Sequence, residues 1–277
     1  YDRVISIDAV EKNGSTSPYG TIVALSESPI DLDFIAIGTD DGLIQITEDG
    51  GKTWRKVDNI SGAPDQSYVN SVYLSQHDSN LIYAAFNHHK YGDFKPYVFK
   101  SEDRGNSWKS ISNNLPKRGS VYSIEEDHVD KSLIFCGTEF GVFFSPNKGE
   151  RWKKLGNGLP TIAVRDIAIQ RRENDLVLGT FGRGFYVMDD YSSLRNIENS
   201  DTQVKAEIYP IREALMWEKS MPLGLPGKAF QGDNFYSAEN LDPVAMVTYY
   251  YSDSYKSIKE KRQKKEKELI KSEEDAT

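Results

Sequence analysis

Thr47-Glu48-Asp49-Gly50-Gly51-Lys52-Thr53-Trp54 sets a hydroxyl, an acid, a glycine and an indole at fixed offsets, and the set returns. Ser101-Glu102-Asp103-Arg104-Gly105-Asn106-Ser107-Trp108 repeats it 54 residues later. Ser145-Pro146-Asn147-Lys148-Gly149-Glu150-Arg151-Trp152 repeats it after 44 more, with Asn147 in place of the acid. The offsets have a physical reading. An Asp or Asn bonds its own backbone a few residues on and caps a tight turn. The glycine takes a positive φ that other residues resist, and the hydroxyl adds a bond back to the turn. The tryptophan tucks a large ring between layers. Trp54, Trp108 and Trp152 are therefore expected to be buried, with Asp49, Asp103 and Asn147 holding amides of their own turns. Self-similarity at this period points to a propeller or an array.

Outward from the turns, a four-strand unit emerges. In the first unit an alternating strand (Thr21-Ile22-Val23-Ala24-Leu25) precedes a continuous apolar one (Phe34-Ile35-Ala36-Ile37-Gly38-Thr39). The turn Asp40-Asp41-Gly42 leads to Leu43-Ile44-Gln45-Ile46, and Trp54-Arg55-Lys56-Val57 completes the unit. Such runs, cut by Gly, Pro and Asp, read as strands. A second unit spans residues 68–115, with a long insert at 87–96; a third spans 120–159. The fourth starts at Ala163, and where its turn should stand there is Asp189-Asp190-Tyr191-Ser192-Ser193, without the glycine or the tryptophan. That hairpin is expected to open into the exit from the domain. The pattern predicts an all-β fold, four blades of a larger β-propeller, over residues 1–194. A sandwich or barrel with coincidental turns is the alternative. An isolated strand is expected at Val4-Ile5-Ser6-Ile7-Asp8-Ala9-Val10. Residues 195–243 read as a linker, extended at Met221-Pro222-Leu223-Gly224-Leu225-Pro226-Gly227. Residues 244–277 read as the start of a β module with a strand over 245–251 and a charged helical or disordered tail.

Composition excludes several classes. The 277 residues suffice for one large β domain and a smaller piece. A net charge of −8 argues against a nucleic-acid groove, which needs a clustered positive field. No run approaches the roughly 20 apolar residues of a membrane span. Cys136, the single cysteine, lies in an apolar run and reads as a small buried hydrophobe, leaving the redox compartment open.

The repeated turn resembles the Asp-box, or bacterial-neuraminidase repeat. A closer likeness is to large bacterial proteins labelled sortilin-like or glycosyl-hydrolase-like. It is carried by Ala36-Ile37-Gly38-Thr39-Asp40-Asp41-Gly42-Leu43, Phe94-Lys95-Pro96-Tyr97-Val98-Phe99-Lys100, Gly137-Thr138-Glu139-Phe140-Gly141-Val142 and Gly179-Thr180-Phe181-Gly182-Arg183-Gly184-Phe185. The resemblance covers roughly residues 19–260. It implies a propeller with further blades upstream, an Ig-like module opening near Val244, and an extracellular, cell-surface or periplasmic location. Activity is not implied, since those labels rest on the repeats. The structural positions it assigns are Asp49, Gly51 and Trp54; Asp103, Gly105 and Trp108; and Asn147, Gly149 and Trp152.

Chemistry is thinly marked. Tyr209-Pro210-Ile211-Arg212 is too isolated to carry a sialidase's tyrosine nucleophile and arginine cluster. Inverting glycosidases need two carboxylates about 6.5–9.5 Å apart; Asp40, Asp41, Asp93 and Glu139 offer acids without a defined pair. Adjacent His88 and His89 point apart on an extended chain, so no metal is expected, and no cofactor motif stands out. Topology is more informative. The repeated turns join third to fourth strands, so the second-to-third turns emerge on the opposite face. There lie His88, His89, Tyr91 and Phe94 of the insert, Glu139 and Phe140, and Arg183. These are the candidate partner-binding residues, with Arg183 a candidate carboxylate clamp. The expected function is a non-catalytic binding or scaffold propeller for a polypeptide or glycan, with further blades or subunits as structural partners. A glycoside hydrolase with acids partly outside the chain, and a purely structural interface, are the alternatives.

Overall fold

A computed structural model describes residues 20–156, 158–197, 205–218, 242–252 and 257–274. Two compact units divide the chain, Tyr1–Glu198 and Asn199–Thr277.

The first unit holds four antiparallel meanders. Blade one is β1 (Ile22–Glu27), β2 (Ile35–Thr39), β3 (Ile44–Thr47) and β4 (Arg55–Val57). Blade two is β5 (Tyr68–Leu74), β6 (Ile82–His88), β7 (Asp93–Ser101) and β8 (Lys109–Ser110). Blade three is β9 (Val121–Glu126), β10 (Ile134–Thr138), β11 (Gly141–Ser145) and β12 (Lys153–Leu155). Among the described residues blade four has three strands, β13 (Val164–Gln170), β14 (Asp175–Thr180) and β15 (Phe185–Met188). The fold is all-β, with the sheets stacked as propeller blades.

Hydrophobic layers between successive blades form the core. Ile44, Ile46 and Phe34 of the first blade meet Val69, Val72 and Phe86 of the second. Tyr83 and Val98 meet Ile124 and Cys136 of the third, and Phe135 and Val142 meet Ile167 and Leu178 of the fourth. Each such side chain contributes about 1.5–3 kcal/mol on burial, so the layers hold the blades together. Cys136 is fully buried, and burial pushes its thiol up.

The repeated turns are closed by local bonds. Asp49 accepts the Thr53 N–H (2.9 Å), Asp103 the Ser107 N–H (2.8 Å) and Asn147 the Arg151 N–H (2.8 Å). The hydroxyls of Thr47, Ser101 and Ser145 accept the N–H of Gly51, Gly105 and Gly149. Two successive left-handed residues make the corner, Arg104–Gly105 and Lys148–Gly149 among them. Every turn also donates one amide to the first-to-second turn of its own blade: Gly50 to Asp33, Arg104 to Asn80 and Lys148 to Ser132. These two turn sets therefore share a face. On the other face the second-to-third turns of blades one, three and four bond the chain entering the blade: Asp40 to Thr21, Glu139 to Ser120 and Phe181 to Ala163.

The three indoles differ from expectation. Trp152 is buried and donates to the Ile111 carbonyl (2.7 Å), Trp108 is half-buried, and Trp54 is exposed. The reason is that each turn seats on the preceding blade. A Cβ on Gly105 would lie 2.4 Å from Ile46 Cδ1, and one on Gly149 would lie 2.6 Å from Ile111 Cδ1. Arg55 donates to the carbonyls of Arg104 and Gly105, and Asn113 to those of Gly149 and Glu150. Among the described residues no blade precedes the first, and Trp54 has no counterpart there to the Ile111 that meets Trp152.

Two further features follow from local bonding. The insert of blade two is not a free loop: β6 and β7 run into it and pair at His88 and Asp93, leaving one 3-10 turn at His89–Tyr91. The degenerate fourth turn keeps the shared backbone bond, Tyr191 to Asn174 (2.9 Å), and an Asp190 cap on Ser192. It then becomes a 3-10 helix, Tyr191–Asn196, whose Tyr191 ring packs edge-on against Phe135. Arg195 of that helix fixes it by a bidentate pair to buried Asp127 (2.7 and 2.8 Å).

In the second unit the strand expected over 245–251 is strand only at β17 (Tyr249–Tyr251). It pairs with β16 (Ala206–Ile208), from within the expected linker. The tail is a helix, α1 (Ile258–Glu274), exposed over 258–271 and crossed by Arg262–Glu266 and Lys264–Glu268 pairs at i,i+4. The strand expected at Val4-Ile5-Ser6-Ile7-Asp8-Ala9-Val10 and the extended run from Met221 to Gly227 lie outside the described residues. Among the described residues no helix is long and apolar enough to cross a membrane.

Candidate functional site

The innermost strand of every blade is interrupted at the same place. The pairing of Ile22 with Thr39 and of Ala24 with Gly38 leaves Val23 over. The same register break leaves over Asn70 in β5, Tyr122 in β9 and Arg165 in β13. A bulge kinks its strand and re-aims one side chain. Here all four re-aimed residues line one open pocket of about 400 Å³ on the loop face, together with Tyr68, Asn87, His89 and Lys90. The flanking residue is β-branched each time (Ile22, Val69, Val121, Val164), whereas the bulged residue is Val, Asn, Tyr and Arg.

Specific bonds hold this lining. Asn70 donates to the Val121 carbonyl (2.6 Å) and accepts from Asn87 (2.5 Å), which ties blade two to blade three. The Tyr122 hydroxyl donates to the Glu139 carboxylate. Burial, and then that bond, push the phenol up to about 12. The Arg165 guanidinium lies 3.7 Å over the Tyr122 ring and 5.3 Å from the Phe181 ring centre. It makes no hydrogen bond or ion pair with the described residues. A guanidinium stacked by its face keeps its in-plane N–H donors for an acceptor. Burial, with Asp40 nearby, raises the Tyr68 phenol, so both tyrosines stay neutral donors.

The sequence-derived candidates divide by position. His89 lines the pocket. Glu139 stands behind it, bonded to Tyr122. His88 stacks on Tyr91 (4.4 Å between ring centres), lies 3.3 Å from the Ser67 hydroxyl and is held below its ordinary pKa by burial. Tyr91 donates to Gln66 (2.7 Å). These two residues brace the insert on the connector between blades one and two. Phe94 braces its other side, since its carbonyl accepts the Gly119 N–H and Arg118 lies over its ring. Phe140 packs on Gly119 as well. Arg183 sits exposed in the Gly182–Gly184 turn, without a hydrogen bond or ion pair to the described residues. Tyr68, Asn70, Tyr122 and Arg165 were missed. Overlaying the four units shows Asn70, Tyr122 and Arg165, each as a variable residue after a β-branched one, whereas Tyr68 precedes its Val69 and carries no such mark.

The acids named from sequence are engaged. Asp40 accepts the N–H groups of Gly20 and Thr21, and Asp41 the Thr39 hydroxyl. Asp93 is held below the usual carboxylate range, chiefly by the Tyr97 hydroxyl. Among the described residues no group of three His, Cys, Asp or Glu side chains is placed to hold a metal ion.

No known protein family matches the chain, and no curated protein does. Solved structures do. An ancestral GH74 enzyme matches with a TM-score of 0.51 and 18% identity, over 62% of this chain and 24% of its own. YCF48 bound to D1 peptide gives 0.48 and 18%, over 62% and 52%. The extracellular domain of the putative hybrid two component system BT4673 from B. thetaiotaomicron gives 0.46 and 17%, over 64% and 22%. The chain spans about half or less of each of these structures. At such identity the likeness shows the fold alone: this is a β-propeller protein. Its structural neighbours include both enzymes and proteins that bind partners.

Proposed function

We propose that this chain is a non-catalytic binding propeller of the Asp-box, sortilin-like kind, and that the four bulge residues form its ligand seat. The single observation that carries this reading is the repeated bulge. One scaffold device recurs in four blades and delivers a different side chain each time into one pocket. Arg165 supplies a cation with no ion partner among the described residues, Asn70 and Asn87 supply amides, and Tyr68 supplies a phenol. That set suits a polypeptide or glycan presenting an anionic group. Arg165 thus takes the clamp role first assigned to Arg183. The location proposed is extracellular, cell-surface or periplasmic, on the resemblance of the turn motif.

Peptide and glycan arrays probed with the labelled chain test the reading. Retained ligands should be lost from Val23→Trp, which fills the pocket, and from Arg165→Ala, with melting temperature unchanged. Retention by both variants would reject the pocket as the seat.

A glycoside hydrolase is the second reading, and one group favours it. Glu125, half-buried with its carboxylate accepting from the Tyr73 hydroxyl, is pushed up to about 7 by burial and so could hold a proton. It lies outside the pocket lining. Aryl-glycoside hydrolysis abolished by Glu125→Gln would revive this reading.

A further inference from the structure

A chain of contacts leaves the pocket across the loop face in two directions. On one side the Tyr122 hydroxyl donates to Glu139, and the next residue, Phe140, packs on Gly119. Arg118 precedes that glycine and lies 5.1 Å from the Phe94 ring centre. On the other side Arg165 reaches the Phe181 ring, and Arg183 stands two residues on in the same turn. Phe94, Phe140 and Phe181 are 42%, 43% and 69% exposed, and all three arginines are exposed as well. None of these arginines has an ion partner among the described residues. On the opposite face Arg104 and Arg195 are paired to Glu48 and Asp127.

We infer, resting on the reading that the Arg165 pocket is the ligand seat, that this strip of phenylalanines and arginines binds an acidic polypeptide segment. Its carboxylates meet the guanidinium groups and its apolar side chains meet the phenylalanine rings. Hydrogen-bonding chemistry separates this partner from a sugar. Every sugar hydroxyl brings a donor that needs an acceptor. Acceptors are scarce here. No Asp or Glu lines the pocket, Glu139 is engaged by Tyr122, and Asn70 accepts from Asn87. Asp166, beside Arg165 in sequence, accepts the Ile167 N–H (2.9 Å). Stacking is restricted too, because the Tyr122 and Phe94 rings each carry a guanidinium where a sugar ring would lie. A carboxylate brings acceptors alone, and a guanidinium held over a ring presents its N–H fork to them. The exposed phenylalanines add apolar contact between the cations. In a chain of net charge −8 the strip is a local positive field, which steers an acidic segment to this face.

Three fluorescent probes titrated against the full chain test this. One is a short peptide alternating glutamate with phenylalanine, one is the same peptide with glutamine for glutamate, and one is oligogalacturonate. The glutamate peptide should bind at least tenfold more tightly than the glutamine peptide, and its binding should weaken as salt is raised. Arg165→Ala should weaken it at least tenfold. Arg118→Ala, outside the pocket, should weaken it about threefold, the scale of an exposed ion pair, at unchanged melting temperature. Arg118→Glu should weaken it further. Oligogalacturonate that binds and is lost from Arg165→Ala, with no binding of the glutamate peptide, would overturn the inference and leave the pocket standing. A glutamate peptide that binds equally to the parent, Val23→Trp and Arg165→Ala would reject the pocket, and the inference with it. Equal affinity for the glutamate and glutamine peptides would overturn the inference alone.

Discussion

At the end of each blade that carries the turn motif, the side chains repeat: hydroxyl, Asp or Asn, glycine, tryptophan. At the opposite end the bulged residue changes each time, from Val23 to Asn70 to Tyr122 to Arg165. The repeated end bonds to itself and to the preceding blade; the varied end opens on a pocket. Under the proposed function, the difference separates what holds the blades together from what is left free for recognition. Function concentrates where a rigid scaffold carries variable groups.

Substitutions at the two ends should break along this line. The largest effect belongs to the repeated end. Trp152→Ala should cost about 3–5 kcal/mol in urea unfolding, as for other large-to-small core changes. Trp54→Ala, at an exposed indole, should cost under about 1 kcal/mol. Equal losses would contradict the seating of each turn on the preceding blade. Next come the glycines. Gly105→Ala adds a left-handed non-glycine residue and a contact 2.4 Å from Ile46, for about 2–4 kcal/mol. Gly51→Ala, whose added Cβ would meet only the Trp54 ring at an ordinary 3.9 Å, should cost only about 1–2 kcal/mol from its φ.

Titration sharpens the comparison with smaller effects. Hydrogen bonds, first from the side chains of Thr53 and Ser107, hold Asp49 and Asp103 down to about 2. A depressed carboxylate pKa stabilises the fold above its unfolded value, near 3.8, and that stability is lost as pH falls toward about 2. Asn147 cannot contribute to this loss. Asp103→Asn, which copies the third turn, should therefore flatten the acid limb of an unfolding titration; an unchanged limb would count against the bonding. Glu125 has the opposite sign. Its raised pKa gives stability that is full below about 4.5 and lost as pH rises toward about 7. Glu125→Gln should remove that slope.

The turn motif was legible in sequence because its bonds are local. Thr47 to Gly51 and Asp49 to Thr53 lie four residues apart, so spacing encodes the contact. Trp54 misled because its burial depends on a neighbouring blade, which no local pattern reports. The insert was legible only as length: its pairing at His88 and Asp93, and its bracing by His88 and Tyr91 on one side and Phe94 on the other, rest on contacts that length does not report. The pocket was the least legible feature. A bulge is a property of register between two strands, and Val69-Asn70-Ser71 alone gives no sign that Asn70 will be left unpaired. Arg183 stood out through its glycine neighbours, whereas Arg165 lies inside a strand.

The central claim is that Tyr122 and Arg165, as proposed, carry recognition and not stability. It is tested most directly by measuring affinity and melting temperature together in Tyr122→Ala/Arg165→Ala, with Asp103→Ala as the counterpart and an array-retained ligand as probe. The account predicts that the double variant loses at least tenfold in affinity and melts within about 2 °C of the parent, a shift equivalent to about 1 kcal/mol or less. It predicts that Asp103→Ala melts lower with affinity unchanged. A double variant that binds as the parent does, or that loses affinity only by unfolding, would contradict it.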